Sequence, residues 1–168
     1  VMEQAIADSE TRFQTITAAI PGALFQVRHH QQRWQVDYVS DRIEDIVGLP
    51  PTAITADLGT FLDRVHPGDR ATLDLSIDAA MTQRAPWHYE GRLITPEGET
   101  RWWRGDALPV EDGQGRVVLC GVMLDITERK RIEEAYRESE RRLRMALEVS
   151  GMSVWTWDVA NDQMTWNN

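Results

Sequence analysis

Cysteine is almost absent from this chain, and its scarcity excludes several kinds of site. Cys120 is the single cysteine among 168 residues, so no internal disulfide can form. One cysteine also cannot build the Cys clusters of structural zinc sites, and we predict no metal site. A reducing compartment suits such a chain, so we expect a cytoplasmic protein.

Basic residues and long apolar runs are scarce too. Lys and Arg total 18 against 27 Asp and Glu, which gives a net charge of -9. Nucleic acid and anionic membrane surfaces attract basic faces, so we expect neither as a partner. No apolar run approaches the roughly 20 residues of a membrane span, and no signal peptide is visible. The chain opens with Val1, so we expect it to be a piece of a longer protein.

The motifs of common catalytic sites are missing as well. The sequence contains no GxSxG, HExxH or P-loop motif, and no Cys–His pair at a meaningful spacing. Its carboxylates fall mostly on predicted helical surfaces, where solvation accounts for them. We therefore predict that this chain is not an enzyme.

The first positive feature is an internal repeat. Residues 1–13 and 131–143 match at an offset of 130, with five identical positions. Both segments predict helices, at 1–20 and 128–150, whose apolar positions follow the 4-3 rhythm of a coiled-coil seam. The stripes include Ile6 and Phe13 in the first helix, and Ile132, Tyr136 and Leu143 in the second. Each stripe could form a dimer seam or pack on its own domain.

The body between these helices has the pattern of an α+β domain. Strands are predicted at residues 23–30, 33–40, 87–95, 100–110 and 117–127, with short helices and a longer one at 70–84 between the second and third. Short turns between successive strands indicate antiparallel hairpins, and the order indicates helices on one face of the sheet. Trp34, Val36 and Tyr38 alternate, which predicts that they share one face.

Three segments of this body resemble a PAS domain with its PAC segment. They are YVSDRIEDIVGLP, RVHPGDR and GRLITPEGETRWWRGDALPVEDGQGRVVLCGVMLDITERK, and the His-Pro before the long helix marks a subgroup. The resemblance covers residues 21–127, restarts at 151 and is cut off at Asn168. It implies a five-stranded antiparallel sheet in the order 2-1-5-4-3 and a role in binding, dimerisation or signal relay.

The resemblance also divides the chain. We expect a linker helix at 1–20, the PAS/PAC domain at 21–127, a signalling helix at 128–150 and the start of a second PAS domain at 151–168. The expected function is a sensory or relay module of a histidine kinase or diguanylate cyclase. A homodimer is expected, joined in one chain to further PAS and output domains. The alternative is a ligand-free dimerisation or protein-interaction module.

The triad Asp125-Ile126-Thr127 matches the one that joins such domains to their output helix. In the family this aspartate ties the last strand to a neighbouring group, and Arg104 or Arg101 on the adjacent strand is the expected partner. The Thr127 hydroxyl is a candidate cap for the following helix. The alternative is a simple strand exit with a surface aspartate.

The aromatic residues are candidates for a ligand pocket or an interface. Trp34, Tyr38, Trp87, Trp102 and Trp103 all fall on predicted strands. They could form a ligand cage or a dimer face, or they could simply suit a packed sheet. Trp102 and Trp103 must point to opposite faces, so one of them needs cover outside the core.

The sequence lacks the motifs by which PAS domains bind haem or form a covalent bond to flavin. A haem-binding member usually carries its ligand on the long helix, but residues 70–84 contain no histidine. His66 lies in an HPGD turn, where a local hydrogen bond explains it. The helical cysteine motif of covalent flavin sensors is absent, and Cys120 falls on the last strand. Non-covalent flavin or a small organic ligand stays open.

Overall fold

A five-stranded antiparallel sheet forms the body of the protein. The computed structural model describes residues 15, 17, 19–30, 33–151 and 154–167. The strands are β1 (Ala23–His30), β2 (Arg33–Val39), β3 (Trp87–Ile94), β4 (Thr100–Glu111) and β5 (Val117–Asp125). Their order is β2-β1-β5-β4-β3, as the resemblance implied. The α+β prediction is confirmed.

Four helices connect the second strand to the third. They are α1 (Ile43–Val47), α2 (Pro51–Ala56), α3 (Gly59–Leu62) and α4 (Arg70–Gln83). Helix α1 is capped by Gly48, whose φ of 77° lies in the left-handed region that favours glycine. The Pro50-Pro51 pair is of a kind that ends helices, yet a second helix, α2, follows at once. Pro51 begins that helix because the first helical position needs no backbone donor.

The helices cover one face of the sheet, which we call the inner face. Strand alternation places Trp87, Leu93, Trp103 and Ala107 on it, and all four are buried. Leu73 of α4 is also buried against this face. The opposite, outer face carries the other half of each strand.

A β-bulge moves Tyr38 away from Trp34 and Val36. The register shifts between Gln26 and Val27, so Val27 faces Val36 while Gln26 faces Tyr38. One extra residue reverses the side of the strand that follows it. The prediction that Trp34, Val36 and Tyr38 share a face was therefore wrong. Trp34 and Val36 lie on the inner face, and Tyr38 lies on the outer face.

The chain divides into two compact units, residues 1–127 and 128–168. Helix α5 (Thr127–Ser150) begins at the boundary, and the second unit continues with a hairpin of β6 (Val154–Asp158) and β7 (Gln163–Asn167). In the hairpin Trp155 faces Trp166, and Asp162 takes a φ of 51° in the turn. The segment expected to start a second PAS domain thus contains a two-stranded hairpin. Among the described helices, none is long and apolar enough to span a bilayer.

The predicted seam of α5 is open along the helix. Ile132, Tyr136 and Leu143 are each more than 60% exposed. Pairs such as Glu133 with Arg137, at 3.0 Å, lie one turn apart and support the isolated helix. The seam residues Ile6 and Phe13, like most of the predicted 1–20 helix, lie outside the described residues.

Candidate functional site

An apolar cavity of about 100 Å³ lies between the helices and the inner face. All five strands contribute to one wall, and α4 contributes to the other together with α1, α2 and α3. The lining includes Trp34, Val36, Leu73, Ile77, Trp87 and Trp103. Two of the predicted pocket residues on β3 and β4 therefore meet at one cavity, together with Trp34 from β2.

The inner-face aromatics form a packed cluster. The Trp87 and Tyr89 rings stack with centroids 6.1 Å apart, and Trp103 lies tilted 5.5 Å from Tyr89. The cluster needs space from the strands beneath it. A Cβ at Gly105 would stand 2.6 Å from Cη2 of Trp87 and 3.0 Å from Cζ3 of Trp103. Glycine at position 105 therefore leaves room for both indoles above the strand.

The two buried indole N–H groups differ in their partners. Trp87 donates from Nε1 to the Ser76 hydroxyl at 2.9 Å, which ties β3 to α4. The Nε1 of Trp103 is buried and finds no hydrogen-bond partner among the described residues. A buried donor without an acceptor costs about 1–3 kcal/mol, so the Trp103 N–H is an unfavourable polar group beside an apolar cavity.

Trp102 points to the outer face, as strand alternation predicted, and its backbone holds the start of α5. The Trp102 N–H donates to the Thr127 hydroxyl at 2.9 Å, and the hydroxyl can donate back to the Trp102 carbonyl at 3.4 Å. That carbonyl also accepts the Ile126 N–H at 2.9 Å. Each such bond contributes about 0.5–1.5 kcal/mol net. We call this group of contacts the helix junction.

Asp125 belongs to the helix junction, but not through an arginine. Its carboxylate accepts the Thr127 N–H at 2.8 Å and so satisfies a donor at the helix start. Arg104 instead donates to Asp106, which lies two residues along its own strand, at 2.7 Å. Arg101 instead donates to the backbone carbonyl of Asp45 in α1, at 2.6 Å. The expected arginine partner of Asp125 was wrong, and the Thr127 hydroxyl serves Trp102 rather than the helix.

Sequence reasoning missed an ion pair between the HPGD turn and β3. The Asp69 carboxylate accepts three bonds from Arg92: from its backbone N–H at 2.8 Å, from Nε at 3.0 Å and from Nη2 at 2.6 Å. These hydrogen bonds hold the pKa of Asp69 below its usual 3.8. No short motif marks the pair, because 23 residues separate its members.

The outer face carries a groove of about 690 Å³. Its lining is mostly apolar and includes Leu24, Tyr38, Leu108, Cys120 and Val122. Leu108 is 54% exposed there. Burial raises the pKa of the Cys120 thiol, which makes it a poor nucleophile.

The histidines of the described part do not assemble a metal site. His66 accepts the Gly68 N–H on Nδ1 at 3.1 Å, which is the predicted local bond of the HPGD turn. His88 Nδ1 lies 2.7 Å from Asp106 Oδ1 on the neighbouring strand. Within the described residues, no three His, Cys, Asp or Glu side chains group closely enough to hold an ion.

A five-stranded antiparallel sheet that encloses an apolar cavity with short helices, and whose last strand leads into a long helix, is the arrangement of one family of α+β domains. The model of the PAS fold family matches residues 36–123, more than half of the chain. The chain belongs to this family.

Two similar proteins are much longer than this chain. A methyl sulfide methyltransferase-associated sensor from Methanosarcina acetivorans is 29% identical over 112 residues, which cover 66% of this chain and 11% of that protein. A probable diguanylate cyclase, DgcE of Escherichia coli, is 29% identical over 120 residues, which cover 71% of this chain and 11% of that protein. The chain thus spans about a tenth of either relative.

Among solved structures, a sensory box histidine kinase/response regulator from Burkholderia thailandensis is similar. It superposes with a TM-score of 0.60 at 25% identity, over 80% of this chain and 98% of that one. The fold of the described body is therefore shared with a sensor of known structure.

The cavity does not fit the large PAS cofactors. Pockets that hold drug-sized ligands measure about 300–1,000 Å³, several times the volume found here. A porphyrin would also need an axial ligand, yet the cavity lining contains no histidine, cysteine or methionine other than Met123. A three-ring flavin would have to displace the packed indoles. A much smaller, apolar molecule matches the volume and the lining.

Proposed function

We propose that this chain is the sensory or relay module of a multidomain signalling protein. It responds to what occupies its apolar cavity and passes that response to α5 through the helix junction. Output domains of the histidine kinase or diguanylate cyclase type are proposed from the similar proteins. The division into linker helix (1–20), PAS domain (21–127), signalling helix (128–150) and the start of a second PAS domain (151–168) is part of this proposal.

One observation carries the proposal: the consecutive residues Trp102 and Trp103 contact different parts of the domain. The Trp103 ring lines the cavity, while the Trp102 backbone bonds to Ile126 and Thr127 at the start of α5. The peptide unit between them is planar and rigid. A shift of Trp103 therefore moves the groups that hold the helix.

Xenon is a suitable probe, because apolar cavities of about 150 Å³ bind it without needing polar contacts. The assay is amide NMR of the 168-residue chain under xenon pressure. We expect shifts at the cavity lining, at Trp102 and Thr127, and at residues 130–134 in the first turns of α5. Xenon that shifts only the cavity lining would refute the relay.

Thr127→Val tests the junction, because it keeps the side-chain shape and removes the hydroxyl. In this variant we expect the cavity response to persist and the response at 130–134 to disappear. Thr127→Ser is the matched control, since it keeps the hydroxyl, and it should respond like the parent. An unchanged response at 130–134 in the valine variant would contradict the proposed route.

The second candidate function is a dimerisation or protein-interaction module. The outer-face groove favours it, because exposed apolar area of this kind marks contact surfaces. The exposed stripe of α5 offers another surface. We expect a homodimer by light scattering, and Leu108→Glu and Leu143→Glu, tested separately, identify which surface forms it. A monomer at tens of micromolar chain would count against this function.

A tandem array is the last part of the proposal. The match between residues 1–13 and 131–143 and the hairpin at 154–167 support a second PAS copy after α5. The parent reading frame tests this. A frame that ended soon after residue 168, without three more strands, would contradict it.

A further inference from the structure

The turn before α4 is fastened to the edge of the sheet by several bonds. Besides the three bonds between Asp69 and Arg92, the His66 N–H donates to the Arg92 carbonyl at 2.9 Å. The Tyr89 hydroxyl donates to the Asp69 carbonyl at 2.9 Å. Val65 forms an antiparallel bridge with Leu93. The start of α4 and the edge strand β3 are therefore connected through both backbone and side chains.

The Asp69 carboxylate does not serve its own helix. It stands at the N-cap position of α4, where an aspartate normally accepts backbone N–H bonds, yet it makes no such cap bond. Both of its oxygens bond to Arg92 instead, and its side chain is only 15% exposed. The Asp69 carboxylate therefore connects the start of α4 to β3 instead of capping the helix.

Arg92 has a second contact on its other side. Its guanidinium carbon lies 5.7 Å from the centroid of the Trp102 ring, within the range of a cation–π contact. The two residues face each other across β3 and β4. The Trp102 indole lies on the outer face, away from the core. The Arg92 guanidinium, which bonds to Asp69 at the start of α4, packs against it.

We infer that Arg92 is a positioning residue of the helix junction, which couples α4 to Trp102 and so to Thr127. The inference rests on the proposed function. Helix α4 brings Leu73 and Ile77 to the cavity wall. A cavity occupant that displaces α4 then acts on Trp102 through Asp69 and Arg92, in addition to the direct step from Trp103. A displacement of either cavity wall, the sheet or α4, would therefore move the helix junction.

Arg92→Lys tests this inference with the xenon assay. Lysine keeps a positive charge for Asp69 but cannot form the two-pronged bond or lie flat on the indole. We expect the xenon response at 130–134 to fall about twofold or more, because one of two charge-assisted side-chain bonds is lost. The response of the cavity lining should stay as in the parent.

Arg116→Lys is the matched control. Arg116 also bonds to an aspartate, Asp112 at 2.7 Å, but it does so in the β4–β5 turn. This control should leave the response at 130–134 intact. Asp69→Asn is a second variant, which keeps the side-chain shape, and it should act like Arg92→Lys.

The outcomes separate this inference from the proposed function. If Thr127→Val abolishes the helix response and Arg92→Lys leaves it unchanged, the inference is overturned and the relay stands. If Arg92→Lys abolishes the cavity response as well, the residue merely supports the fold, and the inference is again overturned. If the parent shows no helix response, the proposed function itself falls. Only a selective loss at 130–134 supports a positioning role.

Discussion

Replacing each of the two buried tryptophans by phenylalanine should have very different effects on stability. Trp87 and Trp103 both lie on the inner face, both line the cavity and are 6% and 2% exposed. Each substitution removes about 40 Å³ of side chain, which costs about 1 kcal/mol at about 24 cal/mol per Å³ of cavity. The cost of the lost volume is therefore the same for both variants. Any difference between their free energies of unfolding comes from the indole N–H.

The N–H contributions have opposite signs. Trp87→Phe loses the bond to Ser76, worth about 1 kcal/mol, so the variant should be destabilised by about 2 kcal/mol. Trp103→Phe removes a buried donor that has no acceptor among the described residues, which returns about 1–3 kcal/mol. That variant should be neutral or more stable than the parent. The two variants should differ by about 2–4 kcal/mol.

Urea unfolding followed by circular dichroism measures this difference. The midpoint should move, and the slope should stay the same, since both variants bury similar surface. Equal destabilisation of the two variants would refute the reasoning. It would mean that the Trp103 N–H is satisfied in the folded protein, as an ordered water molecule could do.

Three further predictions also concern stability. Gly105→Ala should destabilise by about 1–3 kcal/mol through overpacking against the indoles, whereas Gly113→Ala, with nothing within 4 Å, should be neutral. The hydrogen bonds from Arg92 lower the pKa of Asp69 in the folded state, so its stabilising contribution is present above pH 3.8 and is lost as the pH falls through the lowered pKa. Asp69→Asn should therefore flatten the pH dependence of the midpoint in that acid range, and an unchanged slope would contradict it. Asp125→Ala should cost about 0.5–2 kcal/mol by removing the acceptor at the start of α5, while Asp125→Asn should recover most of it, as amide exchange of the helix would show.

Strand positions were predictable because period-two alternation and turn residues mark them locally. The ends of β1 match the prediction at both residues, and the other strands differ by one or two. Tyr38 shows the limit of that logic. A bulge is set by pairing with β1, which no pattern within β2 reveals, and one extra residue reversed its face. The start of α2 is not apparent from the sequence, because a Pro-Pro pair can end one helix and also begin the next.

The candidate site was predictable where it depends on one strand and not where it depends on two distant segments. Opposite faces for Trp102 and Trp103 follow from strand geometry alone. The pairing of Asp69 with Arg92 requires knowing which strand lies at the sheet edge and in which register. The expected partner of Asp125 was wrong for a related reason, because Arg104 has a nearer carboxylate in Asp106 on its own strand.

The consecutive tryptophans also indicate what kind of stimulus this domain can convert. Trp103 meets a cavity with an almost wholly apolar lining, so an occupant acts on it mainly through volume rather than charge. Close-packed interiors respond to added volume by moving their walls, since few voids are left to absorb it. Both cavity walls are connected to Trp102. The sheet wall is connected through the peptide unit between Trp102 and Trp103, and α4 is connected through Asp69 and Arg92. Under the proposed function, the response of α5 should therefore follow the size of the occupant, and a series of apolar probes from xenon to benzene should produce graded shifts at residues 130–134.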